Sequence, residues 1–582
     1  MFNSINRNWL ILVIACACTV AACSDNKDAT GDSSALTAAD SVLRYVPANA
    51  PYVFAKTAPL PAALSDKLEP KVDLVLASYQ AVMREMIKAH TQRLSQDDGE
   101  AEDTAQVTAV LEELFTLLSI DGIRGAGIGR ESIFAFYGNG LLPVLRIQLT
   151  DGKLFDAEMA RVEAQVGQAL PTAELDGQSY RYVDRGEARF VIAIIGDQAV
   201  LTVAPAAFSD EKLGQLIGLS LPARSIAESG ELQTIVMEFG FSDHYVGFFN
   251  LVRLTETLLG DSSGLDADLM AMIDHDPLIL TNACKTEIRS AVGLMPRMLF
   301  GYTEISEDRI DESMIIELRD DIAAGLSLFA AAVPGLGEDH GGLISFGMSM
   351  NPLAARNFFE ARLDAMEADP FECELFSDIQ AGVAKGREAL NEPVPPMVYD
   401  FKGFLAIVDE IDGVDFASNA PPKSVKARFL VAMDNVEALI AMGAMFSAEL
   451  AELDLQAGDE PVPFEMPAKG GETETVYLAM SDKALAVSVG EGVEAKLIDM
   501  LGAAPQEPPP FMSMSVDAGR YYALIGNAVA ARDGGDDGTS DNMRAALKDA
   551  MEAIADIYER ITLHVIFTSR GVEIDSAVTL AD

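Results

Sequence analysis

The stretch Gly196–Gly218, GDQAVLTVAPAAFSDEKLGQLIG, decides our prediction of the fold. It contains a polar turn at Gly196-Asp197-Gln198, an apolar strand and then a segment with helical periodicity, and the apolar run RFVIAII at 189–195 precedes it. Two apolar runs joined by a short polar turn predict an antiparallel hairpin, and the periodic segment predicts an amphipathic helix. The segment therefore indicates an α+β fold with mainly antiparallel sheets and packed amphipathic helices.

A second stretch, Ser481–Gly502, repeats this order as SDKALAVSVGEGVEAKLIDMLG. The alignment pairs Asp197 with Asp482, Ala199 with Ala484 and Lys212-Leu213 with Lys496-Leu497. We interpret the match as an internal duplication that gives two related lobes, 41–285 and 286–582. The alternative is that two unrelated segments converged on the same α+β pattern.

A recurring unit extends this pattern along the chain: an apolar strand, then Asp or Asn, then an amphipathic helix. The Asp and Asn side chains can accept a hydrogen bond from a free amide of the first helical turn, so we interpret them as helix N-caps and not as catalytic acids. Pro352 would occupy the first helical position, where no amide is needed. The five predicted caps are Asp151, Asp243, Asn351, Asp434 and Asp517, and the strand predicted before Asp243 is FGFS at 239–242.

Two further predictions concern the ends of the folded body. Helical periodicity predicts opening helices at roughly Lys71–Arg93 and Thr104–Leu118. The runs ITLHVIFTS and VEIDSAVTL predict a closing hairpin that turns at Arg570-Gly571.

The N-terminus carries a different kind of signal. One cation, Arg7, precedes an apolar run from Trp9 to Ala22, and the tetrapeptide Val20-Ala21-Ala22-Cys23 ends it. This layout of residues 1–22 is typical of an export signal peptide. With the final cysteine it resembles the lipobox of bacterial lipoproteins, and in general style the chain resembles uncharacterised proteobacterial envelope lipoproteins.

The lipoprotein resemblance implies cleavage before Cys23 and acylation of that cysteine with palmitate-like chains. Ser24 at the next position implies the outer membrane, with the body in the periplasm or at the cell surface. Residues 23–40 are polar and predict a flexible tether with a reach of roughly 50 Å. The alternative, a transmembrane anchor, would need about 20 apolar residues, more than the run contains.

Charge restricts the possible partners. The chain has 42 basic and 90 acidic residues, a net charge of −48, and the predicted cleavage removes one cation and no acid. Such a surface repels nucleic acid and anionic headgroups. We therefore expect no nucleic-acid partner, and membrane attachment through the lipid on Cys23 alone.

Two cysteines remain in the body after the predicted processing, Cys284 and Cys373, and both fall within predicted helical segments. An even number of cysteines in an oxidising compartment predicts a disulfide. The alternative is two separately buried thiols.

The search for catalytic and metal motifs gives weak matches. Gly260–Gly264 fits the G-x-S-x-G pattern with Ser262, but a predicted helix precedes it where a hydrolase needs a strand. The neighbours Asp274-His275-Asp276 and Glu338-Asp339-His340 lack the spacing of a metal motif. We therefore predict a protein that is not an enzyme and has no cofactor and no metal.

Methionine-rich apolar segments are the remaining feature: SFGMSM, FMSMS, LIAMGAMF and LMAMI. Methionine fills irregular apolar space in cores and in permissive binding surfaces. Strands such as RFVIAII are apolar at every position, so either helices cover both faces or one face forms a groove. Our first hypothesis is a non-enzymatic binding or scaffolding protein of the envelope. The alternative is a carrier or sensor of a hydrophobic ligand such as lipid, and a serine hydrolase using Ser262 is the third.

Overall fold

The computed structural model confirms the predicted class, mixed α+β with antiparallel strands. It describes residues 36, 41–94, 117, 119–167, 169–260, 264–272, 280–413, 422–445, 450, 452–453, 455–467, 473–531 and 541–581.

Nineteen strands of this described part join into one sheet, and every neighbouring pair is antiparallel. They are β1 (Tyr52–Lys56), β2 (Phe134–Asn139), β3 (Leu142–Gln148), β4 (Thr172–Leu175), β5 (Gln178–Arg185), β6 (Ala188–Ile195), β7 (Gln198–Pro205), β8 (Tyr245–Asn250), β9 (Arg297–Ile305), β10 (Arg309–Glu317), β11 (Ile344–Ser349), β12 (Phe401–Asp412), β13 (Ser424–Met433), β14 (Val462–Pro467), β15 (Thr473–Met480), β16 (Ala484–Val489), β17 (Met512–Asp517), β18 (Tyr558–Phe567) and β19 (Gly571–Leu580).

The helices lie in the connections between these strands. Their bounds are Ala62–Leu94, Ile120–Gly125, Gly152–Val166, Asp210–Ile217, Ile226–Ser229, Glu231–Phe239, Leu251–Leu259, Leu265–Met272, Asn282–Val292, Asp320–Leu326, Pro352–Ala368, Ser377–Asn391, Met397–Asp400, Val436–Ala444, Lys496–Gly502, Ala518–Ala531 and Asp541–Ala555.

The strand order repeats itself across the sheet. From one edge the order is β4-β5-β6-β7-β3-β2-β1-β8-β9-β10, and from the opposite edge it is β14-β15-β16-β13-β12-β11-β17-β18-β19. Apart from the additional edge strand β4, each strand of one half has a counterpart at the same place in the other half. The halves meet where β10 pairs with β19.

The two hairpins that we aligned from the sequence occupy equivalent places, but our residue alignment is shifted by one position. The first turn is Gly196-Asp197, because Ile195 pairs with Gln198. The second is Asp482-Lys483, because the amide of Ser481 donates to the carbonyl of Ala484. A one-residue shift exchanges the two faces of a strand. Ala199 accordingly packs with Phe155 on one face, whereas Ala484 packs with Leu497 on the other.

If the turn Gly196-Asp197 is aligned with the turn Asp482-Lys483, the residues of the two halves correspond consistently across the whole sheet. The cap Asp151 then matches Asn435, and the cap Asn250 matches Asp517. When this correspondence is followed strand by strand toward the middle of the sheet, Ser313 of β10 corresponds to Asp575 of β19. These two residues are also direct cross-strand partners. A pseudo-twofold axis normal to the sheet therefore passes between them.

The predicted division into lobes at 285 and 286 stays a prediction. The repeated strand order would place the boundary between β10 and β11, at residues 318–343, because β9 and β10 complete the first set of strands.

Helix caps were predicted well, with two corrections. Asp151, Asn351 and Asp517 accept hydrogen bonds from amides of the first helical turn. The cap after β13 is Asn435 and not Asp434. The predicted strand 239–242 and its cap Asp243 are wrong, because the helix Glu231–Phe239 ends there, β8 follows, and Asn250 caps the next helix.

The elements predicted at the two ends of the folded body, the opening helices and the closing hairpin, agree with the structure to different degrees. The closing hairpin is confirmed as β18 and β19, which pair along their length. The first opening helix is longer than predicted and spans Ala62–Leu94. Most of the predicted helix Thr104–Leu118 lies outside the described residues.

The disulfide is confirmed, with the Cys284 and Cys373 sulfurs 2.02 Å apart. Cys284 lies in the helix Asn282–Val292 as predicted, whereas Cys373 lies in the turn before the short 3₁₀ helix Glu374–Phe376. Both side chains are buried. The bridge joins a segment that follows β8 to one that follows β11, and so it connects the two halves.

Candidate functional site

A continuous row of apolar side chains crosses the middle of the sheet. Direct cross-strand partners lie on the same face, so pairing alone defines the row. It runs over ten adjacent strands through Phe136, Phe54, Gly247, Phe300, Met314, Ile574, Val565, Met512, Met348 and Phe404. We call this row, together with Phe346, Met514 and Phe429 of the adjacent row on the same face, the apolar floor.

The floor differs from the opposite face in its burial. The nine side chains of the ten-residue row are half-buried, and the tenth residue, Gly247, is buried and leaves space for the ring of Phe54. Phe429 and Met514 are 42% and 41% exposed. On the opposite face, which we call the core face, neighbouring positions such as Ala55, Val246 and Leu405 are buried. The core face carries the two main hydrophobic clusters, one in each half. The floor is therefore an apolar surface in addition to the core.

The two ends of the floor have different side chains. In the first half, Phe54, Phe249 and Phe300 contact one another, with ring centroids 5.0 to 6.4 Å apart. In the second half, Phe404 stacks on Phe429 at 6.0 Å, and Met348, Met512 and Met514 lie in the adjacent pairs. Aromatic rings give a stiff surface, whereas methionines adapt to irregular shapes.

Helices contact this face near both ends of the strands and leave the middle row between them. Leu64 and Leu68 of the helix Ala62–Leu94 pack with Ile310 and Val578 at one end. At the other end Phe329, which follows the helix Asp320–Leu326, lies 6.1 Å from Phe567 and 5.3 Å from Phe358 of the helix Pro352–Ala368. At the outer margins, helices 152–166 and 436–444 cover the same face.

The length of the floor can be compared with that of an acyl chain. Ten strands at about 4.8 Å spacing give a row of roughly 43 Å. The hydrocarbon core of a bilayer is ~30 Å thick and contains two leaflets, so one chain spans about 15 Å. The floor is long enough for two acyl chains end to end.

Charged groups occupy other positions of the adjacent row that contains Phe346 and Met514. Lys56 is buried, and its Nζ donates to the carbonyl of Arg130 at 3.2 Å. Glu312 is exposed, and its Oε1 accepts from Ser576 Oγ at 3.3 Å. The ten positions of the central row itself are all apolar.

On the core face, three residues of catalytic type are cross-strand neighbours: Ser513, His564 and Asp575. They do not form a relay, because His564 Nδ1 is buried without a hydrogen-bond partner. Burial lowers the pKa of His564, and the nearby Asp575 only partly offsets this effect. A base needs a hydrogen bond to the proton that it removes, so this arrangement does not support nucleophilic catalysis.

A buried ion network lies on the same face in the second half. Asp409 accepts from Arg428 Nε at 2.8 Å and Nη2 at 2.9 Å, and from Lys496 Nζ at 2.8 Å. Arg520 donates to the backbone carbonyl of Asp409 at 3.0 Å. Burial acts to raise the pKa of the Asp409 carboxyl, but the hydrogen bonds from Arg428 and Lys496 outweigh it and lower that pKa. The carboxylate is fully paired, which indicates a structural role.

The residues singled out in the sequence are placed as follows. Cys23, Ser262 and His275 lie outside the described residues. His340 Nε2 lies 2.7 Å from the carbonyl of Gly335, and Asp339 pairs with Arg560 at 3.2 Å. These last contacts close a loop and do not form a metal site.

Two kinds of site are absent from the described part of the chain. Its His, Cys, Asp and Glu side chains form no group of three or more that could hold a metal ion. Its helices include none with the length and apolar character needed to cross a membrane.

Sequence reasoning missed the floor, although one signal for it was present. The strand YVFAK at 52–56 alternates Tyr and Phe with Val and Ala, and YVGFFN at 245–250 has Tyr245 and Phe249 on one face and Val246 and Phe248 on the other. Such strands are apolar on both faces, and only the pairing of β1 with β2 and β8 brings their aromatic sides together. Compared with protein-family models, with curated proteins and with solved structures, the chain gave no match.

Proposed function

We propose that this protein is a lipid-anchored, non-enzymatic binding protein of the bacterial envelope, and that acyl chains of a hydrophobic ligand lie on the apolar floor. The observation that carries the proposal is the row from Phe136 to Phe404, whose nine side chains are all apolar and half-buried in a chain of net charge −48. Monomeric proteins rarely expose large contiguous apolar surfaces without a binding role.

The shape of the floor favours a thin, flexible ligand. Side chains outside the sheet contact its face at both strand ends, Leu64 of the helix Ala62–Leu94 at one and Phe329 at the other. An acyl chain can lie along such a row and bury both the chain and the floor, at about 25 cal/mol per Å² of apolar surface. The methionines in the second half would accommodate chains of different length or saturation.

The repeated strand order supports a second part of the proposal, that the floor arose by internal duplication. The pair Ser313 and Asp575 at the pseudo-twofold axis places the Phe-rich and Met-rich parts of the floor in opposite halves. A crystal structure in which residues 52–317 superpose on 344–580 would support the duplication. A failure of the two sets of strands to superpose would contradict it.

The anchor is also part of the proposal. We infer that Cys23 is acylated after export and that the polar residues 23–40 tether the body to the outer membrane. Cys23→Ala should leave the protein without the acyl mass and with its signal peptide uncleaved, because the substitution removes the cysteine that ends the lipobox. Intact mass measures both effects, and an unacylated wild-type N-terminus would contradict the anchor.

Fluorescence of an introduced tryptophan tests ligand binding at the floor. The one natural tryptophan, Trp9, lies in the predicted signal peptide, so the mature chain would have no background. Phe429→Trp places the reporter on the floor, and Met237→Trp places a control on the helix Glu231–Phe239, which packs on the core face.

A brominated fatty acid quenches tryptophan on contact. We expect saturable quenching in the Phe429→Trp protein and none in the Met237→Trp protein. Equal quenching of both reporters would indicate nonspecific association, and no quenching of either would contradict acyl-chain binding.

A further inference from the structure

One region of the surface is unusually apolar. Of nineteen large apolar side chains that are exposed in the described part of the chain, seven lie between residues 328 and 398. This segment includes the helices Pro352–Ala368 and Ser377–Asn391, which pack against each other. Leu328, Leu353 and Phe359 are each more than half exposed.

A chain of ring contacts connects this surface with the floor. The exposed ring of Phe359 lies 6.0 Å from that of Phe329, which is buried. Phe329 lies 6.1 Å from Phe567, and Phe567 stacks on Phe511 at 4.6 Å. Phe567 is on β18, two residues from the floor residue Val565 and on the same face.

We propose that Phe359 and its exposed apolar neighbours touch a membrane surface, and that Phe329 and Phe567 guide an acyl chain from that membrane onto the floor. This inference rests on the proposed acyl-chain function and adds the place where ligand enters. We infer that the patch contacts lipid because apolar side chains connect it without interruption to the floor, where the acyl chain is proposed to bind.

Charge specifies the kind of membrane. Between residues 328 and 398 there are eleven acidic and four basic residues, so the patch lies in an acidic surrounding. Contact with lipid therefore depends on apolar side chains, and anionic headgroups oppose it. Zwitterionic phosphatidylcholine vesicles should donate a chain faster than vesicles rich in phosphatidylglycerol.

The test measures transfer of a fluorescent fatty acid from donor vesicles to the full-length anchored protein held in nanodiscs. Phe359→Asp should slow transfer from phosphatidylcholine vesicles about tenfold, because it removes one apolar side chain from the contact. Equilibrium binding of monomeric fatty acid should stay unchanged, since Phe359 is not part of the floor. Met237→Asp, at an exposed methionine on the helix 231–239, is the control and should keep the wild-type rate.

The outcomes are distinguishable. Wild-type transfer rates in Phe359→Asp, with binding intact, would overturn the entry site and leave the floor in place. That result is also the one expected if the patch instead binds another protein. Absence of fatty-acid binding in the wild-type protein would overturn the acyl-chain function, and the entry site with it.

Discussion

Asp409 shows how single residues hold this acidic chain together. Its carboxylate is buried and receives hydrogen bonds from Arg428 and Lys496. Removing one partner of such a buried ion pair lowers the stability of the fold strongly, because the remaining charge is left buried without a partner. The next residue, Glu410, pairs with Lys426 at 3.0 Å in an exposed position. The two neighbours allow a direct comparison of buried and exposed ion pairs.

Asp409→Asn should lower the free energy of unfolding by about 3 kcal/mol, because Arg428 keeps its charge and loses its partner. Urea denaturation measures the change. Glu410→Gln is the matched control and should have little effect, since solvent screens that pair. Equal effects of the two substitutions would contradict the structural role of the buried network.

Two histidines predict the pH dependence of stability. Burial lowers the pKa of His244 and of His564 below the ordinary value of 6.5. The unfolded chain therefore binds more protons than the folded chain as the pH falls through 6.5, and the stability contributed by these groups is lost there. We expect the double variant His244→Gln/His564→Gln to lose less stability than wild type between about pH 8 and pH 5.5 in denaturant titrations. Parallel losses in both proteins would show that other groups control this range.

At the scale of elements, the disulfide and the helices near the strand ends connect the halves. Cys284 and Cys373 join them at one end of the strands. At the other end the helix Ala62–Leu94 packs on Asp541–Ala555 without a covalent link. The pseudo-twofold axis relates these two arrangements, because the segments follow equivalent strands.

Replacing both cysteines by serine should lower the free energy of unfolding by about 4.6 kcal/mol, the value for a loop of this length. The 89 residues between the cysteines set that length. Denaturation of the Cys284→Ser/Cys373→Ser protein measures the loss, and its far-ultraviolet circular dichroism should remain that of the wild type because the sheet is continuous without the bridge. An unchanged unfolding midpoint would contradict a stabilising role.

Local signals explain which elements could be predicted. The caps Asn351 and Asp517 were found because capping depends on one side chain and the next helical turn. The strand expected at 239–242 was wrong because a short apolar run fits a strand or the end of a helix equally well. The order β7-β3-β2-β1-β8 could not be read from the sequence, since pairing between distant strands depends on the whole fold.

For the whole molecule, the candidate site also combines features that local sequence predicts with features that depend on pairing between distant strands. Strands apolar on both faces raised the question of a groove, and the methionine-rich segments that were noted include Met348, Met512 and Met514 of the floor. What the sequence could not supply was the row itself, because it depends on register across ten strands. The disulfide could be predicted from compartment and cysteine count alone.

The central claim is that the floor holds acyl chains, and native mass spectrometry of the full-length protein, extracted gently from its envelope, tests it most directly. We predict noncovalent adducts with the masses of acyl lipids, lost in Met514→Asp, which puts a charge on the floor. They should remain in Met445→Asp, which changes a methionine that is 82% exposed and lies outside the floor. A wild-type spectrum without adducts, or adducts that persist unchanged in Met514→Asp, would contradict the account.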